Sequence, residues 1–270
     1  MSNKLTIMGC RAGAPAQGMA ASGYVLEVDG TTLLIDCGPG VVLELSRSNL
    51  IDRLDAVVIT HRHADHCADL LALAYYRLFP TAQSPLPLFG PPDLWQVLDT
   101  LNGLFGIPTL PTLTTPLTTA FAWSPIVPGT SFAPLGITTE TLPTQHPVPT
   151  MALRWPALGL VYTSDSALID PLVVFATQAH TLIAEATYAT PQGHDLSHHG
   201  HMAGVQAGKL AHTARVGRLG LTHLADYAVA EATAMAAATC YAGPVTVLRP
   251  GLVIELEGDV ECCTHIDVTG

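Results

Sequence analysis

The chain has 270 residues, of which 49% are apolar and only 12% charged, and its formal net charge is −11. So much apolar content excludes intrinsic disorder, and so little charge excludes a coiled coil with charged flanking positions. Lysine occurs only at Lys4 and Lys209, so the sequence has no basic stripe with which to grip an extended nucleic-acid backbone.

In chain order, short apolar runs come first. Leu5–Met8, Tyr24–Val28 and Thr32–Ile35 read as strands, and Asp29-Gly30 between the last two is a hairpin signal. Asp36 ends that hairpin beneath the next segment, and Val41–Leu45 starts a short helix. Ala56–Ile59 reads as a buried strand, and residues 65–77 carry helical spacing with Leu70, Leu71, Leu73 and Tyr76. The stretch 78–119 is rich in Pro, Leu and Thr, with a strand from Leu86 and a helix over Leu94–Leu101. Met151–Trp155 and Gly159–Thr163 pair as a hairpin. Helices near 170–178, 203–213 and 228–240 then alternate with strands at 182–185, 219–222 and 245–256. With no internal repeat and no linker, one domain over residues 1–270 is the economical reading: α/β, two packed sheets with helices outside.

The amino terminus has no apolar stretch behind a basic start, so no secretory signal is expected. Residues 232–248 are interrupted by Gly243-Pro244 and read as helix and strand, not as a membrane span. The six cysteines form no C-x-x-C pair and are expected to be reduced core residues in a cytoplasmic protein.

Histidine stands out. Twelve histidines outnumber the eleven lysines and arginines. His61, His63, Asp65 and His66 follow a buried strand directly, and imidazole with carboxylate at this density suits Zn²⁺, with Mn²⁺ or Fe²⁺ also accommodated. His146, Asp165 and His223 each follow or precede an expected strand and are the candidates to complete the donor set.

This series, His61-x-His63-x-Asp65-His66 followed by His146, Asp165 and His223, resembles the metallo-β-lactamase superfamily. The segments Leu86-Pro-Leu-Phe-Gly-Pro-Pro, Ile183-Ala-Glu185-Ala-Thr-Tyr188, Gly200-His201-Met-Ala and Leu221-Thr-His223 resemble its ribonuclease Z-like phosphodiesterase branch. The resemblance implies an αββα four-layer sandwich with two divalent metal ions at the sheet edge. It implies His61, His63 and His146 on one ion, Asp65, His66 and His223 on the other, and Asp165 bridging. It also implies a catalytic set of Asp65, to orient the attacking water, and His201, to protonate the leaving alkoxide, with Glu185 holding the imidazole. His198 and His199 stand close enough in sequence to take the place of His201.

Two departures narrow the expectation. The branch's tRNA-binding arm has no room, because only 19 positions separate His146 from Asp165. The motif neighbours of Glu185 and His201 also differ from the usual His-Glu-Ala-Thr and Gly-His-Ser-Thr. The expected function is therefore hydrolysis of a small or cyclic phosphodiester, or of a nucleic-acid end, by water activated between two metal ions. A lactone or thioester hydrolase on the same platform is the alternative. A tRNA 3′ endonuclease and a non-catalytic binding module are lesser ones. Extended nucleic acid and membrane are not expected as partners, and a homodimer is compatible with the low charge.

Overall fold

A computed structural model describes residues 2–106, 116–191, 193 and 195–256. The readings that touch residues 107–115, His194, Cys262, Cys263 and His265 lie outside the described residues.

The first sheet is built from β1 (Asn3–Arg11), β2 (Ala20–Ala21), β3 (Gly23–Val28), β4 (Thr31–Ile35), β5 (Ala56–Val58), β6 (Leu86–Gly90) and β7 (Phe121–Pro125). The second takes β8 (Glu140–Pro143), β9 (Met151–Trp155), β10 (Leu160–Tyr162), β11 (Thr181–Glu185), β12 (Arg218–Thr222) and β13 (Val245–Val247). The last strand, β14 (Val253–Leu256), returns to the first sheet and pairs antiparallel with β1. Among the described residues the spatial orders are β14-β1-β3-β4-β5-β6-β7, with β2 beside β1, and β13-β12-β11-β10-β9-β8. The Asp29-Gly30 turn closes the β3–β4 hairpin with positive φ at both residues, 49° and 90°, which matches the twist of the strands it joins.

The helices are α1 (Val41–Arg47), α2 (Ala64–Cys67), α3 (Leu70–Leu78), α4 (Leu94–Phe105), α5 (Asp170–Phe175), α6 (Leu196–His199), α7 (Gly204–Thr213) and α8 (Ala230–Ala238). Strand alternation assigns them to layers. Tyr24, Leu26, Leu33, Ile35, Ala56 and Val58 face the second sheet, in a core shared with Leu153, Trp155 and Ile183. The intervening Val25, Leu34 and Val57 face outward and pack on Val41 and Leu45 of α1, Leu70 and Leu73 of α3 and Leu94 of α4. Leu172 of α5, Leu210 of α7 and Ala237 of α8 cover the far face of the second sheet. The result is the αββα order implied by the resemblance. Among the described residues no helix is long and apolar enough to cross a membrane.

One expected helix is two. The helical spacing over 65–77 breaks between α2 and α3 at Ala68-Asp69. There Asp69 donates its backbone N–H to Cys37 O at 3.0 Å, and its carboxylate accepts from the Val42 N–H of α1 at 3.0 Å. Tertiary bonds, not periodicity, decide that boundary. The turn after β4 and the β2–β3 junction hold the histidine segment: Cys37 N donates to His66 O at 2.7 Å and Ser22 N to Asp65 O at 3.1 Å. Gly38 is required here, because a Cβ at this position would lie 2.0 Å from the Asp65 carbonyl oxygen.

Candidate metal centre

The carboxyl ends of β4, β5, β10, β11 and β12 run parallel and open onto one edge of the sandwich. Every sequence-predicted site residue lies there or in a loop folded over it. Asp36 follows β4, His61 to His66 follow β5, Asp165 follows β10, Glu185 ends β11 and His223 follows β12. His146 comes from the β8–β9 connection and His201 from the turn between α6 and α7. Backbone strain is present at this edge: Asp36, Ser164 and His223 all adopt positive φ, at 56°, 51° and 58°. Each left-handed residue costs about 1–2 kcal/mol, and such strain gathers at functional sites when the surroundings enforce it.

The seven candidate ligands converge. One donor atom each from His61, His63, His146 and Asp165 lies within 4.8 Å of the others, and the same holds for Asp65, His66 and His223. Asp165 sits between the two groups: its Oδ2 is 3.6 Å from His61 Nε2 and 3.4 Å from His223 Nε2, and its Oδ1 is 3.4 Å from His66 Nε2. Asp65 Oδ2 is fixed by the Gly13 N–H at 2.7 Å and stands 3.1 Å from His223 Nε2.

Outer hydrogen bonds set which imidazole nitrogen faces inward. His66 Nδ1 is 2.8 Å from Asp36 Oδ2, His146 Nδ1 is 2.9 Å from the Gly200 carbonyl, and His223 Nδ1 is 3.1 Å from Thr187 Oγ1. Asp36 and the carbonyl can only accept, so the first two rings carry their proton on Nδ1. Thr187 gives its own proton to Glu185 Oε2 at 2.7 Å, so it too accepts, from His223. His61 Nδ1 meets Thr60 Oγ1 at 3.2 Å, and that hydroxyl donates to Asp36 at 3.0 Å. All four rings therefore turn a bare Nε2 inward.

That donor set suits cations. His66 Nε2 and His223 Nε2 are 3.3 Å apart, and His146 Nε2 is 2.9 Å from His63 Nδ1. Two bare nitrogens at such distances repel, and either a shared proton or a metal ion between them removes that repulsion. His61 Nε2 and Asp165 Oδ1 are buried and make no hydrogen bond, which would cost about 1–3 kcal/mol per group if nothing else satisfied them. Burial pushes the imidazoles of His61, His63 and His146 below their ordinary range, so they stay neutral and able to ligate. Burial also opposes charge on His66, but Asp165 and Asp36 outweigh it and raise its basicity, the mark of a place that attracts positive charge. Asp65 and Asp165 resist ionisation through burial, yet His223 and His66 hold both below the usual carboxylate range. Imidazole nitrogens with few carboxylates are the donors of Zn²⁺ and related divalent ions.

Beside this cluster stands an acid–base corner. His201 Nδ1 is 3.0 Å from Glu185 Oε1, and its ring stacks on His223 with centroids 5.5 Å apart. Burial works against the imidazolium, but the Glu185 contact outweighs it and pushes the His201 pKa up to about 9. His198 points away, paired with Asp195 at 2.6 Å on the surface. His199 lies on the pocket wall, 2.9 Å from the Tyr188 hydroxyl, and does not touch Glu185 by any described contact.

Sequence reasoning gave no role to Thr187, Thr60 and Ser164. Thr187 joins Glu185, His201 and His223, while Ser164 donates to Thr60 at 2.8 Å. The signal for Thr187 was available, since it sits two positions after Glu185 at the strand end.

Comparison with known proteins agrees with this geometry. Residues 31–224 match the family model described as a β-lactamase superfamily domain. The chain is 34% identical over 261 residues to a probable metallo-hydrolase, YhfI of Bacillus subtilis, covering 93% of this chain and 99% of that one. The crystal structure of YhfI superposes with a TM-score of 0.81 over 94% of this chain and 100% of that one, at 30% identity. A ribonuclease Z of Shouchella clausii is 26% identical, covering 83% of this chain and 87% of that protein. The short form of human tRNase Z, at 21% identity, a TM-score of 0.71 and coverage of 94% and 99%, shares the fold. The chain belongs to the β-lactamase superfamily and is a metallo-hydrolase.

Proposed function

We propose that this metallo-hydrolase is a phosphodiesterase for a small or cyclic phosphodiester, or for a nucleic-acid end. His61, His63 and His146 would hold one divalent ion and Asp65, His66 and His223 a second, with Asp165 shared between them and Zn²⁺ the leading choice over Mn²⁺ or Fe²⁺. Two such ions, when bound, supply a water of lowered pKa and neutralise charge on the phosphoryl oxygens.

The protein's own side chains do the rest. Asp65, anchored by Gly13 N–H, orients the attacking water towards phosphorus. His201 gives a proton to the departing alkoxide, and Glu185 keeps its ring aligned through Nδ1, leaving Nε2 for the pocket. Thr187 ties this acid to His223 through one hydroxyl.

The observation that carries the phosphodiesterase reading is the His201–Glu185 pair beside the metal donors. Opening a lactone requires chiefly a Lewis acid and a nucleophilic water, whereas cleaving an unactivated phosphodiester needs the leaving alkoxide protonated. Buried, free Cys10, Cys37 and Cys67 fit a reducing, cytoplasmic setting.

The test compares two diesters on metal-loaded enzyme, one with an alkyl and one with a p-nitrophenyl leaving group. H201A should lose about 10²-fold or more in kcat on the alkyl ester and far less on the nitrophenyl ester. Equal losses on both, or wild-type turnover of the alkyl ester, would contradict the assignment of His201. Turnover of lactones with none of either diester would contradict the phosphodiesterase reading.

A further inference from the structure

The candidate centre opens into a pocket of about 300 Å³ walled in part by Thr187, Tyr188 and Ala225. The same three residues wall a second hollow, a groove of about 340 Å³ that runs away from the metal donors. The groove is completed by Ala189 and Thr190 after β11, Asp226 after β12, and Val229 and Ala232 at the start of α8. The two hollows adjoin across these three residues, so the groove is within reach of a molecule seated at the candidate centre.

The groove's chemistry is selective. Its lining is mostly small and apolar, and Val229 is 41% exposed to it and to solvent. Among the described residues neither lining contains a lysine or arginine, and the groove's one charged side chain is Asp226. That carboxylate is held in place: it accepts from Ala228 N–H at 2.8 Å, capping the short turn Tyr227–Val229, and from Gln17 Nε2 at 3.4 Å. The nearby cations do not line the groove: Arg11 approaches Asp226 only through Gln17, which bonds both. Arg11 and Arg249 each lie 5.7 Å from the centroid of the Tyr227 ring, and Arg11 reaches Gln17 at 3.3 Å.

We propose that this groove binds one ester arm of the substrate, an uncharged and largely apolar arm up to the size of a nucleoside, and that Asp226 excludes arms carrying a second phosphate. The inference rests on the phosphodiesterase reading and narrows it. One phosphate is accommodated at the candidate metal donors, while a second would lie beside a fixed carboxylate in a groove whose lining carries no lysine or arginine. Repulsion between like charges at a partly solvated site is sufficient for tenfold discrimination or more. A polynucleotide, with a phosphate on every arm, is rejected for the same reason. Binding energy from the remote arm is available to accelerate the reaction at phosphorus.

Three p-nitrophenyl phosphodiesters with a common leaving group test this on Mn²⁺-loaded enzyme. Their other arms are methyl, thymidine joined through its 5′ oxygen, and the same thymidine bearing a 3′-phosphate. The thymidine ester should exceed the methyl ester at least tenfold in kcat/KM, and the added phosphate should remove at least tenfold. D226K should shrink that phosphate penalty at least tenfold, and A232W, which fills the groove, should lower the thymidine-to-methyl ratio at least tenfold. Equal rates on the two thymidine esters, or a penalty unchanged in D226K, would overturn the exclusion. A thymidine-to-methyl ratio near one in the wild type, or one unaltered in folded A232W, would overturn the groove. Ligand-observed NMR with thymidine itself separates this from the parent reading. If no diester is cleaved while thymidine still binds wild type and not A232W, the phosphodiesterase reading falls and the groove stands. If thymidine does not bind and the ratio is flat while diesters are cleaved, the groove falls and the phosphodiesterase stands.

Discussion

Two buried carboxylates, one at a strand end of each sheet, support the candidate centre in different ways. Asp36, after β4, accepts from the Thr60 N–H and hydroxyl, from His66 Nδ1 and from the Tyr162 hydroxyl at 2.8–3.1 Å. Each of those partners is itself buried. Glu185, at the end of β11, accepts from the Ser166 N–H at 2.9 Å, the Thr187 hydroxyl at 2.7 Å and His201 Nδ1 at 3.0 Å. One of its partners, His201, keeps 13% of its side chain exposed, on the pocket wall. Asp36 thus locks a candidate ligand, while Glu185 steadies a ring on the pocket wall. The amino-terminal sheet provides rigidity, and the carboxy-terminal sheet provides rigidity with a reactive end.

If that contrast is right, the two carboxylates fail differently. D36A leaves His66 Nδ1–H and Thr60 without their acceptor in a dry interior. It should cost about 3–5 kcal/mol of stability and about 10–100-fold in affinity for a divalent ion, seen as a fall in urea midpoint together with weaker metal binding. A folded D36A with wild-type metal affinity would break the comparison. E185Q should instead spare most of the metal affinity and lose about 10²-fold in kcat on alkyl diesters. Stopped assays with alkyl and aryl leaving groups read that split, and a metal-binding defect as large as that of D36A would contradict it.

Two smaller changes sharpen the contrast. T187V removes the hydroxyl that accepts from His223 Nδ1 and donates to Glu185, so the ring loses the bond that fixes its tautomer. A loss of roughly tenfold in metal affinity is expected, with T187S restoring it, and nitrogen NMR shifts of His223 report the tautomer directly. G38A presses a methyl group against the Asp65 carbonyl. It should cost about 1–3 kcal/mol, measurable as a lower thermal midpoint.

The same two halves differ in how far the sequence exposes them. The amino-terminal candidate ligands are compressed into His61–His66, directly after an apolar strand, and such density is visible without any structure. The other candidates, His146, Asp165 and His223, are single residues whose convergence depends on one loop and two separate strand ends, and their order along the chain, more than local pattern, points to them. Strands β3, β4 and β5 were readable as apolar runs because both faces of the sheet are packed, each on its own core. The break at Ala68-Asp69 was not, because it depends on bonds to Cys37 and Val42, distant in sequence. Thr187 was only half legible: its place two positions after Glu185 marks it as close to the site, but nothing local shows that its hydroxyl meets His201 and His223. The choice among His198, His199 and His201 likewise depended on which ring the α6–α7 turn delivers to Glu185.

The claim on which all of this depends is that these seven side chains hold two divalent ions around a shared Asp165. Inductively coupled plasma mass spectrometry on dialysed protein counts them directly. The account predicts two ions per chain in the wild type, one in H223A, and fewer than one in D165A. A single ion in the wild type, or two retained in D165A, would contradict it.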